Sequence, residues 1–145
     1  MNGVKVRMAK REDLPSVTSL LESAALPTLG VAEHIDTFLV AQRDKGIVGA
    51  IGLEVYGPTA LLRSAVVREQ ERRRGIGHLL YDELLKMARA QKVQRLILLT
   101  NTAEEYFLKK GFKNIDQASV TGPITTSVEF TGACPSHAAC MELIL

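Results

Sequence analysis

The sequence predicts an α/β (α+β) chain, with a mixed central sheet of six or seven strands packed against about four helices. Three observations predict it. Strand-like runs alternate with helical repeats along all 145 residues, with no linker and no internal repeat, so one domain over 1–145 is expected. Residues 37–67 hold three strand-like segments separated by two tight turns, the pattern of an antiparallel meander. The run Leu96-Ile97-Leu98-Leu99 is apolar at every position, as in a strand covered on both faces.

The elements follow in order. Val4-Lys5-Val6-Arg7-Met8 alternates and predicts a first strand. Asp13-Leu14-Pro15 opens a helix, because proline suits a first turn. Val17, Leu20, Leu21 and Ala24 then recur at helical spacing, and Ala25-Leu26-Pro27 ends it. Residues 31–35 form a second short helix or loop. Strands at 37–43, 47–55 and 59–67 turn at Asp44-Lys45-Gly46 and Tyr56-Gly57-Pro58. Helix three starts near Gly75 and buries Ile76, Leu79, Leu80, Leu84, Met87 and Ala88, while Asp82, Lys86 and Arg89 face water. A central strand covers 93–100. Thr102 with Glu105 reads as a capping box for helix four, which Gly111 closes. Strands are then expected near 126–130 and over 138–145, with a loop at 131–137.

The junction after Val67 carries the chemistry. A strand gives way to the basic turn Arg72-Arg73-Arg74-Gly75-Ile76-Gly77, and a helix begins at once. The first N–H groups of a helix have no partner inside it, and its dipole makes that end partially positive. Such an end binds anions. Gly75 and Gly77 let backbone and ligand approach closely, and three arginines add charge. The expected ligand is a pyrophosphate. The P-loop pattern is absent, since no Gly-Lys-Ser/Thr occurs, and the dinucleotide fingerprint fails because Leu80 stands where its third glycine belongs.

What is left, R-x-x-G-x-G between strand and helix, resembles the acetyl-CoA pyrophosphate loop of the GNAT acetyltransferases. Val66 and Val67 stand at the strand end where the family pattern places them. Downstream, Ala103-x-x-Tyr106-Phe107-x-x-x-Gly111-Phe112 resembles the family's second hallmark. The resemblance implies a GNAT fold, with the sheet splayed between the fourth and fifth strands to admit the pantetheine arm. It places the arm along the backbone of Ala65, Val66 and Val67, as an added strand would lie. It gives the pyrophosphate to the amides of Arg73, Arg74, Gly75, Ile76, Gly77 and His78, with Arg72 or Arg74 reaching a phosphate. Asn101 and Phe107 border the same slot. An amine then attacks the thioester directly, so catalysis is mostly positioning, with proton removal from the ammonium and proton delivery to the thiolate.

One departure stands out. Many family members carry a tyrosine four residues before the closing glycine as proton donor, and here that residue is Phe107. Tyr106 is one residue earlier, about 100° away around the helix. Either Tyr106 packs in the core and water or Asn101 assists the leaving group, or Tyr106 is itself the acid.

The acceptor site is less legible. Arg63 lies inside an apolar strand, where an unpaired charge is costly. It binds a substrate carboxylate or pairs with Glu54 on the neighbouring strand. Glu33, His34 and Asp36 lie in the segment that, by resemblance, walls the acceptor site, and His34 is a candidate base. The ending Cys134-Pro135-x-x-x-x-Cys140-Met141, with Leu62-Arg63-Ser64 ahead of the loop, is similar to a GNAT branch associated with arsenic-resistance operons. Cys134, Cys140 and His137 are residues that suit a thiophilic ion. The plainer reading makes Cys140 a buried strand residue and Cys134 a loop thiol, with no metal.

Composition narrows the class. The net charge of +2 is small, so the positive charge is local, which argues against general nucleic-acid or membrane binding. No apolar stretch has signal or transmembrane length, and two cysteines are too few for a disulfide framework, so a cytoplasmic location is expected. The expected function is transfer of an acetyl group from acetyl-CoA to the primary amine of a small molecule, an amino acid or an analogue of one. A protein or peptide acceptor, or a CoA-binding module without catalysis, are the alternatives. A homodimer is implied by resemblance.

Overall fold

The computed structural model describes residues 3–133 and 138–145. Seven strands form one sheet, ordered β1 (Val4–Met8), β2 (Phe38–Arg43), β3 (Gly46–Tyr56), β4 (Thr59–Val67), β5 (Arg95–Thr100), β7 (Ala139–Ile144) and β6 (Lys113–Ile115). Four helices interleave: α1 (Leu14–Ser23), α2 (Val31–His34), α3 (Ile76–Ala90) and α4 (Glu104–Lys109). The meander of β2, β3 and β4 is antiparallel, as expected. No helix of the described residues is long and apolar enough to cross a membrane.

The sheet is covered on both faces. On one, α1, α2 and the turn that follows it bury Val17, Leu21, Val31 and Ile35 against Phe38, Val40 and Ala50. On the other, α3 and α4 bury Ile76, Leu80, Leu84 and Phe107 against Leu39, Ile51, Leu62, Leu96 and Leu98. β3 is therefore buried from Ile47 through Glu54. Gly52 is obligatory within it, because a Cβ there would stand 2.3 Å from the Phe38 ring.

β4 and β5 are the parallel pair, and they part early. They pair at Thr59 with Arg95, Ala60 with Leu96 and Leu61 with Ile97. Beyond that, β4 continues along β3 to Val67 while β5 continues along β7 to Thr100. The expected splay between the fourth and fifth strands is thus present. β4 also bulges here. Gly52 faces Arg63 and Ala50 faces Val66, so Ser64 and Ala65 oppose the single residue Ile51. Ser64 turns the chain with φ +61°, and such a bulge re-aims the backbone.

Four expectations need correction. Residues 126–130 are not a strand. Pro123–Thr126 forms a 3-10 turn and Glu129–Ala133 a wide helical turn, which bury Ile124 and part of Phe130 against Leu61 and Ile97. The partner of β7 is instead β6, three residues long and too short to show alternation. Leu79 is 37% exposed, and Tyr81, at 4%, takes its place in the buried stripe. Helix four starts one residue beyond the expected box, with Ala103 at the N-cap. The Thr100 hydroxyl, not Thr102, accepts from the N–H groups of Thr102 and Ala103, at 3.3 and 3.0 Å. Finally, Tyr106 is not core: it is 41% exposed, while its neighbour Phe107 is buried.

Candidate active site

A cleft of about 980 Å³ opens where β4 and β5 part. Its walls include Ala65, Val66 and Val67 on β4, and Arg72, Arg73, Gly75, Ile76, Gly77 and His78 at the start of α3. Asn101 and Phe107 close the opposite side. The structure therefore brings nearly all the sequence-predicted coenzyme residues to one cavity. Arg74 is not in its wall. Its guanidinium lies 3.7 Å from Glu71 Oε1 and is mostly in solvent.

The start of α3 presents backbone donors without partners. Gly75 is its N-cap, with φ +81°, and no side chain caps the helix. The first bond into the helix runs from the Leu79 N–H to the Gly75 carbonyl, at 3.0 Å. The N–H groups of residues 73–78 have no protein acceptor among the described residues. A Cβ at Gly75 would meet nothing within 4 Å, and one at Gly77 would meet only Val67 Cγ2 at 3.8 Å. The space over these donors is open, as an anion at a helix start would need. Arg72 folds back, donating from Nε to the Val67 carbonyl at 3.0 Å, and so anchors the loop to the strand.

A second cavity of about 430 Å³ continues from the first. The two share Leu26, Ala65, Asn101, Thr102, Ala103 and Phe107. Arg63, Ser64, Thr100 and Glu129 line the second alone. The Arg63 side chain is fully buried. It donates to Glu54 Oε2 at 2.7 Å, to Ser64 Oγ at 3.0 Å and to the Pro27 carbonyl at 3.3 Å, and it lies 3.6 Å from Glu129 Oε2. Of its two expected roles, the structure displays the Glu54 pair. Burial works against the Glu54 carboxylate, but hydrogen bonds from Tyr56, Ser127 and Arg63 outweigh it and hold its pKa below the usual range. Gly30, at φ +84°, must lack a side chain, because a Cβ there would lie 2.8 Å from the Arg63 guanidinium.

Glu33 and His34 border neither cavity. Glu33 is exposed, and His34 Nε2 lies 3.7 Å from Glu54 Oε1. Glu54 pairs with Leu61, at the end of β4 that still runs beside β5. Tyr106 borders the cleft, edge-on to Phe107 with ring centroids 5.1 Å apart. The Lys110 ammonium sits 5.3 Å from its ring and 2.6 Å from His78 Nδ1, bridging α4 to α3 over the cleft. Among the described residues no group of three or more His, Cys, Asp and Glu side chains could hold a metal. Cys140 is buried, and burial pushes its thiol up to about 11. Cys134 and His137 lie outside the described residues.

Sequence reasoning missed two residues. Glu129 fell in a segment read as a strand. Tyr81 was passed over in the apolar stripe of α3, although it stands one turn beyond Gly77 and borders the cleft.

Comparison with known proteins agrees with this geometry. The family model of the acetyltransferase (GNAT) domain matches residues 34–114. An amino-acid acetyltransferase of Mycobacterium tuberculosis is 30% identical over 129 residues, covering 82% of this chain and 74% of that protein. A Mycobacterium tuberculosis protein solved in complex with CoA and the ligand NLQ superposes with a TM-score of 0.80 at 26% identity, covering 97% of this chain and 99% of that one. N-acetylglutamate synthase of Neisseria gonorrhoeae, complexed with coenzyme A and N-acetyl-glutamate, gives 0.83 at 20% identity and shares the fold. It matches 98% of this chain and 35% of its own. This chain belongs to the GNAT acetyltransferases, and it is an N-acetyltransferase.

Proposed function

We propose that the enzyme transfers the acetyl group of acetyl-CoA to the primary amine of a small molecule, an amino acid or an analogue of one. One observation carries the reading: the open amides of residues 73–78 and the second cavity lie at opposite ends of a single gap between β4 and β5. The amides hold the diphosphate, and the strand edge at Ala65, Val66 and Val67 holds the arm. The thioester, supplied by acetyl-CoA, then reaches the junction at Ala65 and Phe107. The second cavity is small, which suits a small acceptor better than a peptide. Similarity to an amino-acid acetyltransferase supports the same class. Arg63 there is paired with Glu54 at 2.7 Å and lies 3.6 Å from Glu129, so its charge is already engaged within the protein.

Leaving-group protonation falls to water in this reading. Phe107, at the junction, has no hydroxyl, and Tyr106 borders the cleft but not the second cavity. Tyr106→Phe is expected to keep turnover within about threefold, less than the roughly hundredfold typical of a general acid. A hundredfold loss would assign Tyr106 the donor's role. His34, away from both cavities, is not assigned the base. The acceptor class is tested by thiol release from acetyl-CoA over a panel of amino acids and N-terminal peptides. Turnover with free amino acids is expected. Turnover confined to peptides would overturn the reading.

Three further readings belong to this proposal. A cytoplasmic location fits the absence of a membrane-crossing helix among the described residues. A homodimer rests on family resemblance and is refuted by a monomer mass in sedimentation. Kinship with the arsenic-resistance branch is supported by the sequence ending around Cys134 and Cys140.

A further inference from the structure

Tyr81 lies one helical turn beyond Gly77, so the two residues share a face of α3. The residue is 4% exposed, yet it borders the coenzyme cleft. Among the described residues its hydroxyl is the buried side-chain polar atom without a hydrogen-bond partner. Its surroundings do not supply one. The rings of Phe107 and Phe112 lie 6.4 Å away, centroid to centroid, and the Lys110 ammonium sits over the ring face, 5.2 Å from its centroid. A buried hydroxyl without a partner is a standing loss of stability, and a folded protein keeps such a group where something outside the protein completes it.

We propose that the Tyr81 hydroxyl donates a hydrogen bond to an amide carbonyl of the pantetheine arm of acetyl-CoA. The inference rests on the coenzyme site proposed above. The arm has to run from the phosphate donors at residues 73–78 to the exposed Ala65 in the β4 bulge, and Tyr81 borders that stretch of the cleft. It does not border the second cavity, so the reacting carbon lies beyond its reach. Tyr81 grips the arm and takes no part in bond making. Burial pushes its phenol up to about 12, so it stays protonated, and hence a donor, throughout the neutral range. The amide carbonyls of the arm are the neutral acceptors such a donor would meet.

Tyr81→Phe removes the oxygen and keeps the ring that packs against Phe107 and Phe112. By calorimetric titration the Kd for CoA is expected to rise about three- to tenfold, the worth of one hydrogen bond, while the Kd for ADP, which lacks the arm, stays unchanged. In steady-state assays the loss falls on KM for acetyl-CoA rather than on kcat. Without coenzyme, the thermal midpoint is unchanged or higher, because no bond within the protein is lost. An unchanged CoA affinity overturns the proposal. So does an equal weakening of ADP, which would move the contact to the phosphates. A lower midpoint in the coenzyme-free protein also overturns it, by revealing a protein partner for the oxygen. If wild-type protein fails to bind CoA at all, the coenzyme site is at fault, and that failure is distinct from these.

Discussion

Arg63 is a charge sealed inside the sheet, and its removal would take the guanidinium away from the buried Glu54 carboxylate. Breaking a buried pair by deleting one partner typically costs about 3–5 kcal/mol. Arg63→Met is therefore expected to lower stability by that order in urea unfolding, and Glu54→Met added to it should recover part of the loss. The acid side of the stability curve follows from two carboxylates with lowered pKa. The guanidinium of Arg7, at 2.8 Å, holds Asp13 below its usual range against the effect of burial. Glu54 is held down by its donors despite its own burial. A carboxylate whose folded pKa is depressed adds stability that is complete above its unfolded pKa of about 4 and lost as pH falls through the folded value. Stability should be flat from about pH 7 to 5 and fall below about pH 4. Glu54→Gln should make that fall shallower, and an equally steep fall in the variant would refute the assignment. At Gly77 the coenzyme-free fold and the ligand make opposite demands. The residue is helical and its Cβ space is open, so Gly77→Val should change thermal stability by less than about 1 kcal/mol. The branched side chain would enter the diphosphate site, and CoA affinity should fall more than tenfold. Unchanged affinity would refute the loop assignment.

At the level of elements, the bulge in β4 and the start of α4 shape the gap. Ser64 holds a left-handed conformation that glycine adopts freely and a β-branched residue resists by roughly 1–2 kcal/mol. Ser64→Val should destabilise by at least that amount, since it also removes the acceptor of the Arg63 Nε bond, whereas Ser64→Gly should lose less. The bulge was not legible in the sequence. Leu61-Leu62-Arg63-Ser64-Ala65 carries no glycine to announce it, and the register against β3 creates it. Helix four was legible in existence but not in its cap. Two threonines stand before it, and the one that bonds the approaching turn is Thr100, at the end of β5, while no side chain caps the helix itself. Thr100→Ala should cost about 1 kcal/mol, the usual worth of a hydrogen bond. Long, strongly patterned elements such as α1, β4 and α3 could be read from spacing because burial of one face imposes a period. The three residues of β6 could not, because a short edge strand is recruited by β7 rather than by its own pattern.

On the scale of the whole molecule, the cleft is a fault in an otherwise continuous sheet. A ligand that fills it binds the folded state alone. Saturating CoA should therefore raise stability by about 2.7 kcal/mol at a hundred times its Kd, read as an upward shift of the thermal midpoint. A midpoint indifferent to CoA would contradict the coenzyme site. What the amino-acid order determined by itself was local: the strand–turn–helix junction at residues 67–78, the two glycines in it, the element order and the family pattern. Those features rest on neighbours in sequence, where backbone conformation and hydrophobic period act directly. Only the tertiary structure decided which groups meet across the sheet. It paired Arg63 with Glu54, turned Tyr106 out and Phe107 in, kept His34 out of the lining of both cavities and left the buried Tyr81 hydroxyl unpartnered. These depend on register and on the parting of β4 from β5, which are fixed by contacts between residues far apart in the chain.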